Sequence, residues 1–328
     1  MHALVIGGTR FIGRHTVEEF LEADYEVTIF NRGNHEDPFA DEDRVEHVEG
    51  DRTEEGQLRR AALEEPDVVV DCVAYYPRDV HVATDIFADV DAYVYVSSGA
   101  AYGVEEIPKR EDETDLHECT TEQATDDSYE TYGPRKAEGD RAVFAAADRG
   151  VSATAIRPPI VYGPHDYTER LDYWIDRIDN RDRIVVPGDG TNLRHLAYVE
   201  DVASAIRTVA ERGEPGEAYN VGDDRLPTLG EWVDLVADAC GTSVGPTFAS
   251  ERELSTVDLA PDDFPLYREY PHVLETAKLR SLGWESTPHE RALASTVAEH
   301  RESDRTGRDE GPDWDAEERL LDVLGTVS

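Results

Sequence analysis

Lysine is almost absent from this sequence of 328 residues. Only three of its 32 basic side chains are lysines, and with 73 acidic side chains the net charge is -41. Because no cluster of basic residues interrupts this negative field, binding to nucleic acids and to anionic membranes is disfavoured. The acidic residues are spread along the whole chain. This predicts a surface that stays hydrated at high salt and a fold that carboxylate repulsion weakens in dilute buffer.

Cysteine and long apolar runs are also scarce. Cys72, Cys119 and Cys240 are odd in number and far apart, which argues against a disulfide framework or a structural zinc site. The 11 histidines show no metal-ligand spacing, so no metal is expected. No apolar run approaches the roughly 20 residues of a membrane-spanning helix, and the N-terminus lacks a signal-peptide pattern. These absences predict a cytoplasmic protein without a membrane contact.

Strand and helix patterns alternate regularly through the first half of the chain. The apolar run His2–Ile6 is followed by a glycine-rich turn and a helical pattern, and this rhythm repeats until Arg157. It predicts an α/β fold with a doubly wound parallel sheet. We expect a dinucleotide-binding domain at 1–158 and a smaller substrate-binding lobe at 159–302, with segments that return to the sheet. The acidic tail at 303–328 is expected to be partly disordered or loosely docked.

The glycine-rich turn predicts a dinucleotide site rather than only a structural turn. Gly7 allows the tight turn and Gly13 allows close packing, while the positive end of the helix faces a pyrophosphate. The middle glycine of the usual G-x-x-G-x-x-G pattern is replaced by Arg10, so the fingerprint is a variant. The residues predicted to contact the cofactor here are Gly7, Thr9, Arg10, Phe11, Ile12 and Gly13.

The residues after the second strand, Asn31 and Arg32, bear on which dinucleotide is bound. NAD-binding folds usually have a carboxylate there to hold the ribose 2′-hydroxyl, whereas Arg32 with Arg10 could bind a 2′-phosphate. NADP is therefore favoured, NAD is the alternative, and a merely solvated Arg32 would carry no preference. Asp51 and Arg52, after the third strand, are predicted to reach the adenine ring, unless the carboxylate only serves the next helix.

A tyrosine and a lysine four residues apart predict acid/base chemistry. Tyr132 and Lys136 share one face of the helical pattern 129–147. A free phenol titrates near about 10, and a neighbouring cation lowers its pKa towards neutrality. Tyr129 has no lysine at this spacing. Ser98 directly follows the fifth predicted strand, where parallel sheets bind ligands, and could donate to a substrate oxygen.

Taken in order, these motifs resemble the extended short-chain dehydrogenases/reductases, the NAD-dependent epimerase/dehydratase family. The resemblance covers residues 1 to about 300, through GGTRFIG (7–13), VYVSSGAAYG (94–103), YGPRK (132–136), RPPIVYGP (157–164) and GDGTNLRHLAYVEDVA (188–203). It implies a Rossmann fold and a reaction at a sugar or nucleotide-sugar hydroxyl. It also implies Ser98 and Tyr132 as catalytic residues that contact substrate, and Lys136 as a catalytic residue that binds the nicotinamide ribose.

The resemblance also implies further contacts and suggests a homodimer. The residues concerned are Ala74, Pro159, Ile160 and Val161 for the cofactor, and Gly99 and Arg194 for the substrate. Arg194 would meet an anionic group such as a nucleotide-sugar phosphate, with a structural ion pair as the alternative. The expected partner is thus a small molecule, and no nucleic acid is expected.

Two departures from the family pattern narrow the activity. Sugar-nucleotide 4,6-dehydratases carry Thr-Asp-Glu where this chain has Ser98, Gly99 and Ala100, so their β-elimination lacks its acid and base. The GGTRFIG variant resembles a subgroup that includes chloroplast stem-loop RNA-binding proteins. We therefore expect a sugar oxidoreductase or epimerase. The alternatives are an NADP-dependent reductase of a small carbonyl metabolite and a non-catalytic nucleotide-binding homologue, either regulatory or RNA-associated.

Overall fold

A computed structural model describes residues 1–325 of the chain. The strands are β1 (His2–Ile6), β2 (Glu26–Asn31), β3 (Val45–Glu49), β4 (Val68–Asp71), β5 (Ala92–Val96), β6 (Ala153–Arg157), β7 (Ile160–Tyr162), β8 (Arg183–Pro187), β9 (Leu196–Tyr198), β10 (Ala218–Asn220) and β11 (Gly245–Ala249). The helices are α1 (Phe11–Glu22), α2 (Glu55–Ala61), α3 (Pro77–Ile86), α4 (Tyr132–Asp148), α5 (Arg170–Asn180), α6 (Val199–Arg212), α7 (Leu229–Cys240), α8 (Glu251–Leu254), α9 (Ala277–Ser281), α10 (His289–Glu302) and α11 (Trp314–Gly325).

The first of two compact units consists of Met1–Pro159, Val199–Gly222 and Leu274–Ser286. It contains a sheet of seven strands in the order β10-β6-β5-β4-β1-β2-β3, and every neighbouring pair is parallel. The strand order reverses between β1 and β4, so the chain winds outwards in both directions from that point. The predicted fold class, a doubly wound parallel α/β sheet, is confirmed.

Alternation along the central strand explains why helices cover both faces of this sheet. Leu4 and Ile6 belong to an apolar cluster with side chains of α2, α3 and α4. Ala3 and Val5 are fully buried as well, and they point to the other face because the side-chain period of a strand is two. Helices α1 and α6 pack against each other and against the sheet. A strand that is buried on both faces has the continuous apolar sequence seen in β1.

The helix that carries the predicted tyrosine and lysine begins later than its sequence pattern. Residues 129–131 form a single 3-10 turn, and α4 starts at Tyr132. The tyrosine is therefore the first residue of the helix, and Lys136 lies one turn further along it. No helix within residues 1–325 is both long enough and apolar enough to cross a membrane.

The second unit consists of Ile160–Tyr198, Asp223–Val273 and Thr287–Ser328. It contains two pairs of parallel strands, β7 with β9 and β8 with β11. Helix α7 packs against α5 and α10. The sequence patterns do not predict β7, β9 or β11. The first two have three residues each, too few to show a period, and β11 contains Gly245 and Pro246, which are unfavourable in strands.

The C-terminal tail forms a docked helix, contrary to the expectation of a loosely docked segment. In α11, Leu320 is fully buried, and Glu317 Oε1 accepts hydrogen bonds from Arg177 Nε and Tyr173 Oη at 3.0 Å each. The polar sequence of the tail does not indicate this contact, because the partners of the buried acid lie in α5, about 140 residues earlier. The last three residues of the predicted tail, 326–328, lie outside the described residues.

Candidate active site

The turn between β1 and α1 has the backbone that a dinucleotide site requires. Gly7 has a φ of +95°, and a Cβ at this position would lie 2.6 Å from Val73 Cγ1. A Cβ on Gly13 would lie 2.1 Å from the Gly7 carbonyl oxygen, so a larger residue would push helix and turn apart. The side chain of Arg10, the N-cap residue of α1, makes no capping hydrogen bond, and the first turn of this helix contains no acid. The positive helix end thus suits an anionic pyrophosphate.

Asn31, at the end of β2, is hydrogen-bonded to the glycine-rich turn. Its Nδ2 donates to Thr9 Oγ1 at 3.2 Å. Its Oδ1 accepts hydrogen bonds from the Gly33 amide at 2.7 Å and from His47 Nε2 at 2.9 Å. These bonds connect the end of β2 to the glycine-rich turn and to the middle of β3. The ribose of a dinucleotide binds next to this turn in such folds.

Basic side chains lie beside the same turn. Arg10 Nη1 is 3.4 Å from His35 Nε2, and Arg32 is exposed. Asp51 accepts hydrogen bonds from the Thr53 amide and hydroxyl at 2.9 and 2.7 Å, and these bonds lower the pKa of its carboxyl. The charge of Arg32 lowers that pKa further, so the two side chains are neighbours. Two arginines and one carboxylate are therefore available at this edge of the sheet.

Arg52 is directed into the protein interior instead of remaining beside Asp51. Its guanidinium forms ion pairs with Asp71, at the end of β4, and with Asp79 Oδ1 in α3 at 2.9 Å. Burial opposes the charge, but the two carboxylates outweigh it and raise the pKa of Arg52. Because this guanidinium is paired inside the protein, a contact with an adenine ring stays a prediction for Asp51 alone.

Ser98 follows β5 and begins a one-turn helix at 99–101. Its Oγ accepts a hydrogen bond from the Ala100 amide at 3.1 Å, which leaves its O–H able to donate to a substrate oxygen. The Gly99 amide donates to the Pro158 carbonyl at 2.7 Å and so fixes the turn to the residue after β6. The half-buried hydroxyl is therefore held at the carboxyl end of the sheet.

Lys136 is buried at the same end of the sheet. Its Nζ donates to the carbonyl oxygens of Ala74 at 3.0 Å and Val96 at 2.8 Å, just after β4 and at the end of β5. The same atom lies 5.8 Å from the centroid of the Tyr132 ring. Within the first unit Lys136 therefore lies near the Tyr132 ring and binds the end of β5, two residues before Ser98.

Burial and neighbouring charges set the protonation of Lys136. Burial lowers the pKa of its ammonium to about 8, and the carboxylates of Asp71 and Asp140 oppose this effect. The Nζ also lies 4.8 Å from the centroid of the buried Tyr95 ring. Lys136 is therefore mostly cationic at neutral pH and loses its proton in the mildly alkaline range.

The lowered pKa of Lys136 predicts how stability changes with pH. In the unfolded chain the pKa of a lysine is about 10.4. Between about pH 8 and 10 the unfolded state therefore binds more protons than the folded state, and the contribution of Lys136 to stability rises with pH. We expect the free energy of unfolding of the wild type, relative to Lys136→Met, to rise by about 3 kcal/mol over that window. Denaturant titrations at molar salt and several pH values measure this difference.

Lys278→Met is the matched control for that experiment. The ammonium of Lys278 pairs with Glu217 and Asp112, and these carboxylates outweigh burial and raise its pKa. Its contribution to stability is therefore constant below about pH 10 and decreases only above that value. A Lys136 difference that did not change with pH would contradict the assignment of a desolvated cation.

The other predicted contacts lie at the border of the second unit or inside it. Pro159 ends the first segment of the first unit, and Ile160 and Val161 lie in β7. Arg194, in the second unit, is buried, and its carbonyl oxygen accepts a hydrogen bond from Trp232 Nε1 at 3.0 Å. The roles of these four residues towards a cofactor or substrate stay predictions.

The sequence motifs do not include the two carboxylates that act on Lys136, Asp71 and Asp140. Asp71 is fully buried, and its Oδ2 accepts a hydrogen bond from Tyr93 Oη at 3.1 Å. Asp140 is fully buried in α4, four residues after the lysine. An acid that ends an apolar strand, or that follows a predicted catalytic lysine by one helical turn, is a signal that could have identified both.

Comparison with known proteins identifies the family. The model of the NAD dependent epimerase/dehydratase family matches residues 3–89 and 78–222. A dTDP-D-glucose 4,6-dehydratase of Mus musculus is 26% identical over 330 residues, which cover 92% of this chain and 88% of that protein. The chloroplast stem-loop binding protein of 41 kDa b of Arabidopsis thaliana is 27% identical over 255 residues, 74% of this chain but only 63% of that protein.

Solved structures share the fold. The dTDP-glucose 4,6-dehydratase of Bacillus anthracis, in complex with NAD, superposes with a TM-score of 0.73 at 21% identity and covers 92% of this chain and 97% of its own. The UDP-glucose 4-epimerase of Thermotoga maritima, with UDP-glucose, has a TM-score of 0.73 at 22% identity and covers 92% and 99%.

The family match extends over more than half of the chain and includes the glycine-rich turn, Ser98, Tyr132 and Lys136. The sheet order and the uncapped start of α1 agree with it. The chain therefore belongs to the NAD dependent epimerase/dehydratase family and is an NAD(P)-dependent enzyme of the extended short-chain dehydrogenase/reductase type.

Proposed function

We propose that the enzyme oxidises and reduces a hydroxyl-bearing carbon of a sugar or nucleotide sugar, as an epimerase or as a net oxidoreductase. The observation that carries the proposal is the position of the buried Lys136 ammonium. It lies 5.8 Å from the centroid of the Tyr132 ring, and it donates to the carbonyls of Ala74 and of Val96, the last residue of β5, which Ser98 follows two residues later. The printed names of the relatives, a dTDP-glucose dehydratase and a UDP-glucose epimerase, support a nucleotide-sugar substrate.

Each of the three residues has a defined task in this proposal. The Tyr132 phenolate accepts the proton of the substrate hydroxyl, and the Lys136 cation stabilises that phenolate and holds the nicotinamide ribose. Ser98 donates a hydrogen bond to the substrate oxygen. When bound, the dinucleotide takes up the hydride that leaves the carbon. In the reverse direction Tyr132 returns the proton, and an epimerase does so after the bound ketone has turned over.

The residues of the first unit fit such a cofactor. Its pyrophosphate would lie against the uncapped start of α1, its adenosine ribose beside Asn31, and its adenine near Asp51. The other residues proposed to contact it are Gly7, Thr9, Arg10, Phe11, Ile12, Gly13, Arg32, Ala74, Lys136, Pro159, Ile160 and Val161. Gly99 and Arg194 are proposed to contact the substrate.

Dehydration is not the proposed reaction, although several relatives carry that name. β-Elimination needs an acid and a base beside the reacting carbons. The residues after Ser98 are Gly99 and Ala100, whose side chains have no titratable group. RNA binding, the property printed in the name of the plant relative, is not proposed either, because a net charge of -41 repels a polyanion.

One experiment tests the proposed function. The protein is purified at molar salt, any bound dinucleotide is released by denaturation and identified by mass spectrometry, and UDP- and dTDP-hexoses are screened for isomer exchange and for absorbance at 340 nm. Retained oxidised cofactor with exchange and no net absorbance change indicates an epimerase. Net cofactor turnover indicates an oxidoreductase, and turnover with small carbonyl compounds alone moves the substrate to that class. A protein inactive with all of these compounds would contradict the proposal.

We propose NADP as the preferred cofactor, with NAD as the alternative. The side chains at the end of β2 are Asn31 and exposed Arg32, and Arg10 lies nearby beside His35. Asn31 and Arg32 offer donors to a 2′-phosphate, and neither residue offers the carboxylate that usually holds a 2′-hydroxyl at this position. The nearby carboxylates belong to Glu49, in β3, and to Asp51, which follows it.

Replacing Arg32 tests this preference. Arg32→Ala should weaken NADP binding by about tenfold to a hundredfold and leave NAD binding nearly unchanged, because a charge-assisted hydrogen bond contributes about 1.5–3 kcal/mol. Fluorescence titration with NADPH and NADH measures both affinities. Arg14→Ala is the matched control, since Arg14 lies on α1 and pairs with Glu18. Equal losses for both cofactors in Arg32→Ala would reject the preference.

A further inference from the structure

A fully buried ion pair joins α4 to β6. Arg157, the last residue of β6, donates through Nε to Asp140 Oδ2 at 2.8 Å, and both side chains have zero exposure. Burial opposes the charge of Arg157, but the carboxylate of Asp140 outweighs it and raises the pKa of the guanidinium. Two charges removed from water in this way hold each other in a fixed geometry, because either one alone would be strongly unfavourable there.

The ion pair continues into a chain of buried hydrogen bonds. Arg157 Nη1 donates to Tyr102 Oη at 2.9 Å, and Tyr102 Oη donates to Asn220 Oδ1 at 2.8 Å. Asn220 Nδ2 in turn donates to the carbonyl oxygens of Lys109 and Glu275 at 3.2 and 3.1 Å. All of these residues belong to the first unit. The network therefore connects six separate segments of the first unit.

Two of those parts carry the proposed catalytic residues. Tyr102 ends the turn that Ser98 begins, and its amide donates to the Gly99 carbonyl at 3.3 Å. Asp140 lies one helical turn after Lys136 and two turns after Tyr132, on the same face of α4. The ion pair, together with the hydrogen bond from Arg157 to Tyr102, thus connects the turn of Ser98 to the helix of the tyrosine and lysine.

Helix α4 and the turn of Ser98 are also in direct close contact. A Cβ on Gly133, the residue after Tyr132, would lie 2.6 Å from the Ala100 carbonyl oxygen. A small movement of α4 would therefore displace the turn of Ser98. Reactions that depend on aligned groups are sensitive to displacements of about 1 Å.

We infer that Asp140 is a positioning residue of this enzyme, which holds α4 in register with the Ser98 turn through Arg157 and Tyr102. This inference rests on the proposed function of Ser98, Tyr132 and Lys136. Asp140 contacts neither substrate nor cofactor in it.

Removing the charge of Asp140 has a second consequence, at Lys136. The groups that act on this ammonium are the carboxylates of Asp71 and Asp140, the thiol of Cys72, and the cation of Arg52, besides the surrounding tyrosine rings. Asp140→Asn removes one of the two carboxylates that favour the cation. The pKa of Lys136 should then fall, and the decrease of kcat on the alkaline side of its pH profile should begin at lower pH. A general loss of stability would not produce this shift.

The experiment compares Asp140→Asn with a buried ion pair elsewhere. In the second unit Glu317 pairs with Arg177 at 3.0 Å, with side-chain exposures of 8% and 2%, so Glu317→Gln breaks a pair of the same kind. At molar salt and a temperature at which both variants are folded, Asp140→Asn should lower kcat by about tenfold to a hundredfold with little change in KM. Glu317→Gln should keep the wild-type kcat, and Asp140→Glu, which retains the charge, should recover most of the activity.

Hydrogen exchange provides a readout that does not need turnover. Amides of the segment 97–103 should exchange faster in Asp140→Asn than in the wild type, and at the wild-type rate in Glu317→Gln. If the wild type turns over no sugar, the proposed function fails. Faster exchange in this segment of Asp140→Asn would still support the inference that Asp140 holds α4 in register with the Ser98 turn. The inference is overturned if exchange there is unchanged, or if kcat falls no further in Asp140→Asn than in Glu317→Gln.

Discussion

Tyr132→Phe should lower kcat by about a thousandfold and leave dinucleotide affinity within about threefold of the wild type. The substitution removes only the phenol oxygen that accepts and returns the substrate proton, and it keeps the ring beside Lys136. General acid/base groups contribute about a hundredfold to ten-thousandfold to rate, so the loss should be near the middle of that range. Steady-state kinetics with the sugar identified by isomer exchange gives kcat, and NADPH fluorescence gives the affinity.

Tyr129→Phe is the matched control for this variant. Tyr129 is three residues earlier and 87% exposed, and it precedes α4 in the 3-10 turn, so its loss should leave kcat unchanged. Lys136→Met should resemble Tyr132→Phe in kcat but should also weaken dinucleotide binding, because the lysine is proposed to hold the ribose. Full activity of Tyr132→Phe would reject Tyr132 as the acid/base and assign the proton transfer to another group.

Lowering the salt concentration should unfold the protein entirely. The net charge is -41, because 73 acidic side chains face only 32 basic ones. Of the three lysines, Lys109 and Lys136 are buried and Lys278 is paired with two acids. At about 1 M salt the Debye length is roughly 3 Å, so the carboxylates are screened from one another, whereas at about 0.01 M it is roughly 30 Å. The repulsion then released should exceed the stability margin of about 5–15 kcal/mol.

Circular dichroism and thermal melts between about 0.1 and 3 M KCl measure this effect, with loss of the folded signal expected below about 1 M. Sucrose at low salt is the control, because it is excluded from protein surfaces but does not screen charge. Rescue by sucrose alone would assign the stabilisation to solvent exclusion and not to screening. A melting temperature that did not depend on salt would contradict the prediction altogether.

The parts of the candidate site that the sequence predicts are local. Gly7 and Gly13 are needed because a Cβ would collide within the same turn, and Tyr132 and Lys136 meet because residues four apart share a helix face. Arg52 shows the limit of such reasoning. Its position after β3 suggested a ligand contact, but its guanidinium is paired with Asp71 and Asp79, which come from other strand and helix segments.

Short-range periodicity and spacing are enough to predict the fold class and the proximity of Tyr132 to Lys136, and the order of the motifs resembles the family that the comparison identifies. Which polar side chains are buried together depends instead on how distant segments pack. Tyr102 and Asn220 are separated by 118 residues, and Arg177 and Glu317 by 140, yet each pair forms a buried hydrogen bond. A buried polar or charged group is unfavourable unless it is paired, and its partner can come from any segment that packs beside it. The pairing therefore depends on the whole fold and not on the neighbouring sequence.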